Sequence, residues 1–134
     1  YNIISGYRFS EQKEICEKYN IFPSAEEWKD KILFIETSEG KSSPEEYEKM
    51  LNTLKEKVIF DSLGGIIVGK PQNEVYYEEY KKILCKVINN PDIPIVYNVN
   101  FGHAYPRCIL PYGINVEYRH SEKKFIFNEP LFSE

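Results

Sequence analysis

Histidine is scarce in this chain. Among its 134 residues there are two, His103 and His120, so any imidazole chemistry rests on one of two positions. Cysteine is almost as rare: Cys16, Cys85 and Cys108 are odd in number and far apart. That spacing excludes a disulfide framework and the ligand pattern of a structural zinc site. A reducing, cytoplasmic setting is the modest expectation. Positive charge is not in excess, with 17 Lys and Arg against 21 Asp and Glu for a net charge of −4. A polymer of nucleic acid as partner is thereby disfavoured, since phosphate binding needs concentrated basic residues. No run approaches the roughly 18 apolar residues of a membrane helix, and no signal peptide is visible. The glycine-bracketed run Gly64-Gly-Ile-Ile-Val-Gly69 has neither Walker spacing nor a G-x-G-x-x-G turn, which excludes both phosphate loops.

What is present fits one globular domain spanning residues 1–134. Eleven tyrosines and eight phenylalanines are many for this length and point to a well-filled core or a partner surface. The chain opens at Tyr1 without a methionine, and a piece excised from a longer protein is expected.

Taken in order, Tyr1 to Phe9 alternates in character and reads as a strand or linker. Ser10 is a fair N-cap for a helix over Glu11 to Tyr19, with Ile15 and Tyr19 on one face. Asn20 to Lys29 is an irregular connection. Lys31-Ile-Leu-Phe-Ile35 is apolar throughout, as in a parallel strand covered on both faces; Glu36 ends it, and Thr37 to Ser43 is a loop of turn formers. Ser43-Pro-Glu-Glu46 is a helix start with a capping box and proline at the first helical position. Tyr47, Met50, Leu51 and Leu54 then form one apolar stripe. Gly64 to Gly69 is a second buried strand, and a second helix is predicted from about Glu74 to Asn89 with Tyr76, Tyr80, Ile83, Leu84, Val87 and Ile88 inward. A third strand over Ile93-Pro-Ile-Val-Tyr97 follows. Beyond it, Ile114 to Tyr118 and Phe125 to Phe127 read as an antiparallel hairpin turning through Arg119 to Lys123, with a loose tail from Asn128.

The order β-α-β-α-β predicts three parallel strands joined by right-handed crossovers. Glu36, Gly69 and His103 each lie at or just past a strand's carboxyl end, so all three should open onto one edge of the sheet, where ligands and chemistry collect in open α/β sheets. His103 has the side chain best suited to proton transfer near neutrality, and Glu36 could orient it. The alternative is a solvated loop histidine and an ordinary residue past a strand's end. The nucleophile such a pair needs is not evident: Ser38 lies in no G-x-S-x-G elbow, and Cys108 stands five residues from His103 beside an apolar run. A metal site from His103, His120 and a carboxylate has no ligand spacing behind it.

The series Ile32-Leu-Phe-Ile-Glu36-Thr-Ser-Glu39, Val58-Ile-Phe-Asp61, Gly65-Ile-Ile-Val-Gly-Lys70, Ile93-Pro-Ile-Val96, Phe101-Gly-His-Ala-Tyr-Pro106 and Leu110-Pro-Tyr-Gly113 resembles the C-terminal domain of the LD-carboxypeptidase family. These serine peptidases include the microcin-immunity peptidases. The resemblance runs from about residue 31 to 127. It implies a three-layer β/β/α swivelling domain, compatible with the α/β reading of a parallel β-α-β-α-β unit plus a C-terminal antiparallel hairpin. It further implies a Ser-His-Glu triad split between two domains, with Glu36 and His103 at the positions of the family's glutamate and histidine. The serine would come from the protein's own N-terminal domain, so this stretch alone is expected to be inactive. No cofactor or metal is implied. Expected substrates are murein tetrapeptides or peptidyl-nucleotide antibiotics, cleaved at an amide next to a free carboxylate, in a cytoplasmic protein that is often a homodimer. If the parent chain lacks the serine, the same fold is instead a module that binds a ligand or partner at this edge.

Overall fold

The computed structural model describes residues 1–130 and 132. In chain order it contains helices α1 (Asn2–Ser5) and α2 (Ser10–Lys18), strand β1 (Ile32–Ile35), helix α3 (Pro44–Lys55), strand β2 (Gly65–Gly69), helix α4 (Tyr77–Ile88), strand β3 (Ile95–Val99) and the hairpin strands β4 (Val116–Arg119) and β5 (Lys124–Phe127). Single 3₁₀ turns occupy Ile59–Asp61 and Gln72–Glu74. The loose tail expected from Asn128 includes 131, 133 and 134, which lie outside the described residues.

Strand β2 is central. It pairs in parallel with β1 on one side and β3 on the other, in the order β1-β2-β3. All five of its residues are buried, as expected where both faces of a parallel sheet are covered. Ile66 and Val68 face α3 and α4 and join Tyr47, Leu51, Tyr80, Leu84 and Val87 in one apolar core. Each such side chain, fully withdrawn from water, contributes roughly 1.5–3 kcal/mol. Of the stripe foreseen on α3, Tyr47 and Leu51 are buried and Leu54 packs against the cluster, while Met50 is half-buried and stays outside it. Tyr47 and Tyr80 lie ring to ring at 4.4 Å, and the Tyr80 hydroxyl donates to the Ser42 carbonyl just ahead of α3.

The opposite face of the sheet carries Ile32, Phe34, Ile67 and Val96. Above it stands the β4–β5 hairpin, paired from Val116↔Phe127 to Arg119↔Lys124. A cleft of about 1130 Å³ separates the two layers, and Tyr112 closes one part of it by meeting Phe34 edge-on at 5.1 Å. Helices, sheet and hairpin thus make the three layers α, β and β, the mixed α/β architecture read from the sequence. Among the described residues, no helix is long and apolar enough to cross a membrane.

Several elements differ from their sequence reading, each for a local reason. Residues 1–9 are neither strand nor linker: a short helix over Asn2–Ser5 is closed by Gly6, whose left-handed backbone (φ +66°) lets its N–H reach Asn2 O. Glycine just past a helix end is the usual solution there. Phe9, not Ser10, holds the cap position of α2, and the residue this helix buries is Cys16, with Ile15 and Tyr19 exposed. Strand β1 is half-buried rather than fully covered. Helix α4 begins at Tyr77 because positive φ at Asn73, Glu74 and Tyr76 keeps the chain out of the right-handed helix until then; Tyr76 is accordingly exposed. Strand β3 runs to Val99, two residues beyond the expected end.

The start of α3 is as the sequence indicates. Glu46 N donates to Ser43 Oγ at 3.3 Å, and Ser43 N donates to Glu46 Oε2 at 3.0 Å. Ser43→Ala removes one half of this exchange. It should lower the free energy of unfolding by ~1 kcal/mol, read as an earlier urea midpoint with an unchanged slope.

Candidate functional site

The site is built by strand register. Ile35 on β1 stands opposite Val68 on β2, so Glu36, the next residue, arrives level with Gly69. Gly69 in turn pairs with Val99. Between Ile67↔Val96 and Gly69↔Val99, β3 carries one residue more than β2. The surplus is a bulge, with Asn98 in the left-handed region (φ +66°) that asparagine tolerates better than most residues. Past it, Phe101 N donates to Val99 O at 2.8 Å, which folds the chain back over the rim. Phe101 and Ala104 are buried on either side of Gly102-His103, and Phe101 meets Phe34 edge-on at 5.6 Å. His103 therefore projects from a short loop pinned at both ends.

Glu36 and His103, 67 positions apart in sequence, meet: Glu36 Oε2 lies 3.1 Å from His103 Nδ1. Two glycines make room for the carboxylate. A Cβ on Gly69 would stand 3.3 Å from Glu36 Cβ and 3.1 Å from Phe101 O. On Gly102, whose φ is +84°, a Cβ would fall 1.7 Å from Glu36 Oε2, so a side chain there is refused by both backbone and contact. The second ring nitrogen is also engaged: His103 Nε2 lies 3.0 Å from Glu39 Oε2. Glu36 and His103 are about two-fifths exposed and Glu39 far more so. The backbone of His103 is held separately, since Arg107 Nη2 donates to its carbonyl at 2.7 Å while the guanidinium lies 4.2 Å from the Tyr105 ring centre.

The other candidates are not brought in. Ser38 Oγ accepts from Gly40 N within its own turn. Cys108 Sγ donates to Asn100 O at 2.8 Å, and both nitrogens of His103 are already occupied by carboxylates, so neither activates that thiol. His120 lies in the hairpin turn beside Tyr118. The two carboxylates contact opposite sides of one ring and do not converge on a common point; among the described residues no three His, Cys, Asp or Glu form a metal-binding group. Sequence reading missed Glu39, taken only as a turn former, and Arg107. The available signal for Glu39 was its place three residues after Glu36, on the loop leaving the same strand end.

An imidazole in contact with carboxylates at a sheet edge is a candidate proton-transfer group. The chain matches the family described as LD-carboxypeptidase C-terminal domain over residues 14–118. It belongs to that family. A protein of Treponema pallidum (strain Nichols) named "Putative carboxypeptidase" is 33% identical over 87 residues, covering 63% of this chain and 26% of its own length. The microcin C7 self-immunity protein MccF of Escherichia coli is 28% identical over 107 residues, covering 76% of this chain and 30% of its own. The crystal structure of an MccF-like protein from Streptococcus pneumoniae in complex with AMP is similar with a TM-score of 0.90 and 43% identity, over 96% of this chain and 37% of that one. This LD-carboxypeptidase domain thus spans about a quarter to a third of the length of the curated relatives it matches.

The glycine at 102 is the most exposed point of this arrangement to test. Gly102→Ala should displace the Glu36 carboxylate from His103 and destabilise the chain by about 1–3 kcal/mol through enforced positive φ and overlap. Thermal unfolding and the His103 ring signals report the two effects, and an alanine variant with wild-type values for both would contradict the packing described.

Proposed function

We propose that this domain supplies the histidine and glutamate of a Ser-His-Glu triad in a serine carboxypeptidase whose N-terminal domain supplies the serine. The contact of Glu36 Oε2 with His103 Nδ1 carries the reading. With Nδ1–H donated to Glu36, the lone pair of Nε2 is the one available to a nucleophile. In the assembled enzyme Nε2 takes the proton of the serine hydroxyl as the oxygen attacks the amide carbonyl. The resulting imidazolium then passes that proton to the leaving nitrogen, and the cycle repeats with water on the acyl-enzyme. Glu36 holds the tautomer and offsets the positive charge that develops on the ring.

Two relatives support one substrate class over the other. One is named for self-immunity to a microcin, and a structure 43% identical to this chain holds AMP. An aminoacyl- or peptidyl-nucleotide is therefore favoured over a murein tetrapeptide. The three free cysteines accord with a reducing, cytoplasmic setting, and a homodimer accords with the family resemblance.

In the full-length protein, His103→Ala should lower kcat on an aminoacyl-nucleotide by several powers of ten. Glu36→Gln, which keeps the shape but not the charge, should cost up to roughly 10⁴-fold. Unchanged turnover in His103→Ala would remove the triad assignment and leave a binding module of the same fold.

A further inference from the structure

The two carboxylates on His103 are held very differently. Glu36 leaves the last residue of β1, is level with Gly69, and lies against Gly102 where no side chain could replace it. Glu39 sits on an exposed turn, closed by Lys41 N donating to Ser38 O at 3.2 Å and by Gly40 N donating to Ser38 Oγ at 3.3 Å. Its side chain is 72% exposed, against 37% for Glu36. One carboxylate is built into the sheet edge; the other is laid on from solvent.

The Glu39 carboxylate stands 3.0 Å from Nε2, on the solvent side of the ring, and occupies the approach to that nitrogen. Arg107 contributes no ring contact, as its guanidinium engages the His103 carbonyl.

We propose that Glu39 is a removable cover on the base: its carboxylate occupies Nε2 of His103 in the domain by itself and yields that nitrogen when the nucleophile arrives. The inference rests on the reading of His103 as general base. An exposed ion pair is weak and readily exchanged, so the covering contact is suited to displacement, whereas the Glu36 contact is not. Competence of the base is thereby tied to arrival of the serine-bearing domain.

Carbethoxylation by diethyl pyrocarbonate tests this on the 134-residue chain, because the reagent attacks a ring nitrogen with a free lone pair and the chain holds just one other histidine. Rates at His103 and His120 are read separately by peptide mass spectrometry. Glu39→Ala should raise the His103 rate by about two- to fivefold, the size that loss of an exposed ion pair supports, with the His120 rate unchanged. Glu39→Gln, which keeps the shape without the charge, should fall between. An unchanged His103 rate in Glu39→Ala, or an equal rise at both histidines, would overturn the proposal. The label is read without turnover, so its failure leaves the triad reading standing, and failure of the His103→Ala assay leaves this contact standing.

Discussion

A carboxylate laid across two glycines at the end of a parallel sheet is the constraint from which the rest of the site follows. Parallel pairing brings the carboxyl ends of successive strands to one rim, but it does not by itself bring two side chains into contact. Here the in-register pairing of β1 with β2 delivers Glu36 beside Gly69. The extra residue in β3 then turns the chain so that Gly102 passes beneath the carboxylate and His103 meets it. Any side chain at 102 would occupy the space of Glu36 Oε2. The core beneath is ordinary by comparison: two amphipathic helices on one face, with Tyr47, Leu51, Tyr80 and Leu84 closing on Ile66 and Val68.

The electrostatics of the rim are those of an imidazole between two acids, one fixed and one exposed. Glu36, the fixed acid, lies 3.1 Å from Nδ1. Glu39, the exposed one, lies 3.0 Å from Nε2. Backbone position is secured independently, through Arg107 on the His103 carbonyl and through burial of Phe101 and Ala104. Side-chain contacts and backbone anchoring thus fall on different atoms of His103.

Much of this was legible in the residues. The run Ile32–Ile35, the Ser43-Pro-Glu-Glu46 cap and the periodic apolar faces of α3 and α4 are strong local signals, and chain order then predicts a parallel sheet with Glu36 and His103 on one edge. What was not legible depends on tertiary context. The one-residue bulge at Asn98 has no periodicity to betray it, so the apolar run ends at Tyr97, two residues short of the strand. The helix at Asn2–Ser5 is too short to show an apolar repeat. Ile15 and Tyr19 have helical spacing and yet face outward, because spacing identifies a stripe without saying what covers it. Glu39 was hidden by its neighbours: among Ser38, Gly40 and Lys41 it reads as a turn residue, and only the fold carries it back onto His103.

The central claim is that the sheet edge seats Glu36 on Nδ1 of His103. Imidazole ¹⁵N spectra of the 134-residue chain test it most directly, by comparing the wild type with Glu36→Gln. The account predicts that the substitution shifts Nδ1 of His103 more than Nε2 and leaves His120 where it was. An unmoved Nδ1 resonance, or equal movement at both histidines, would contradict it.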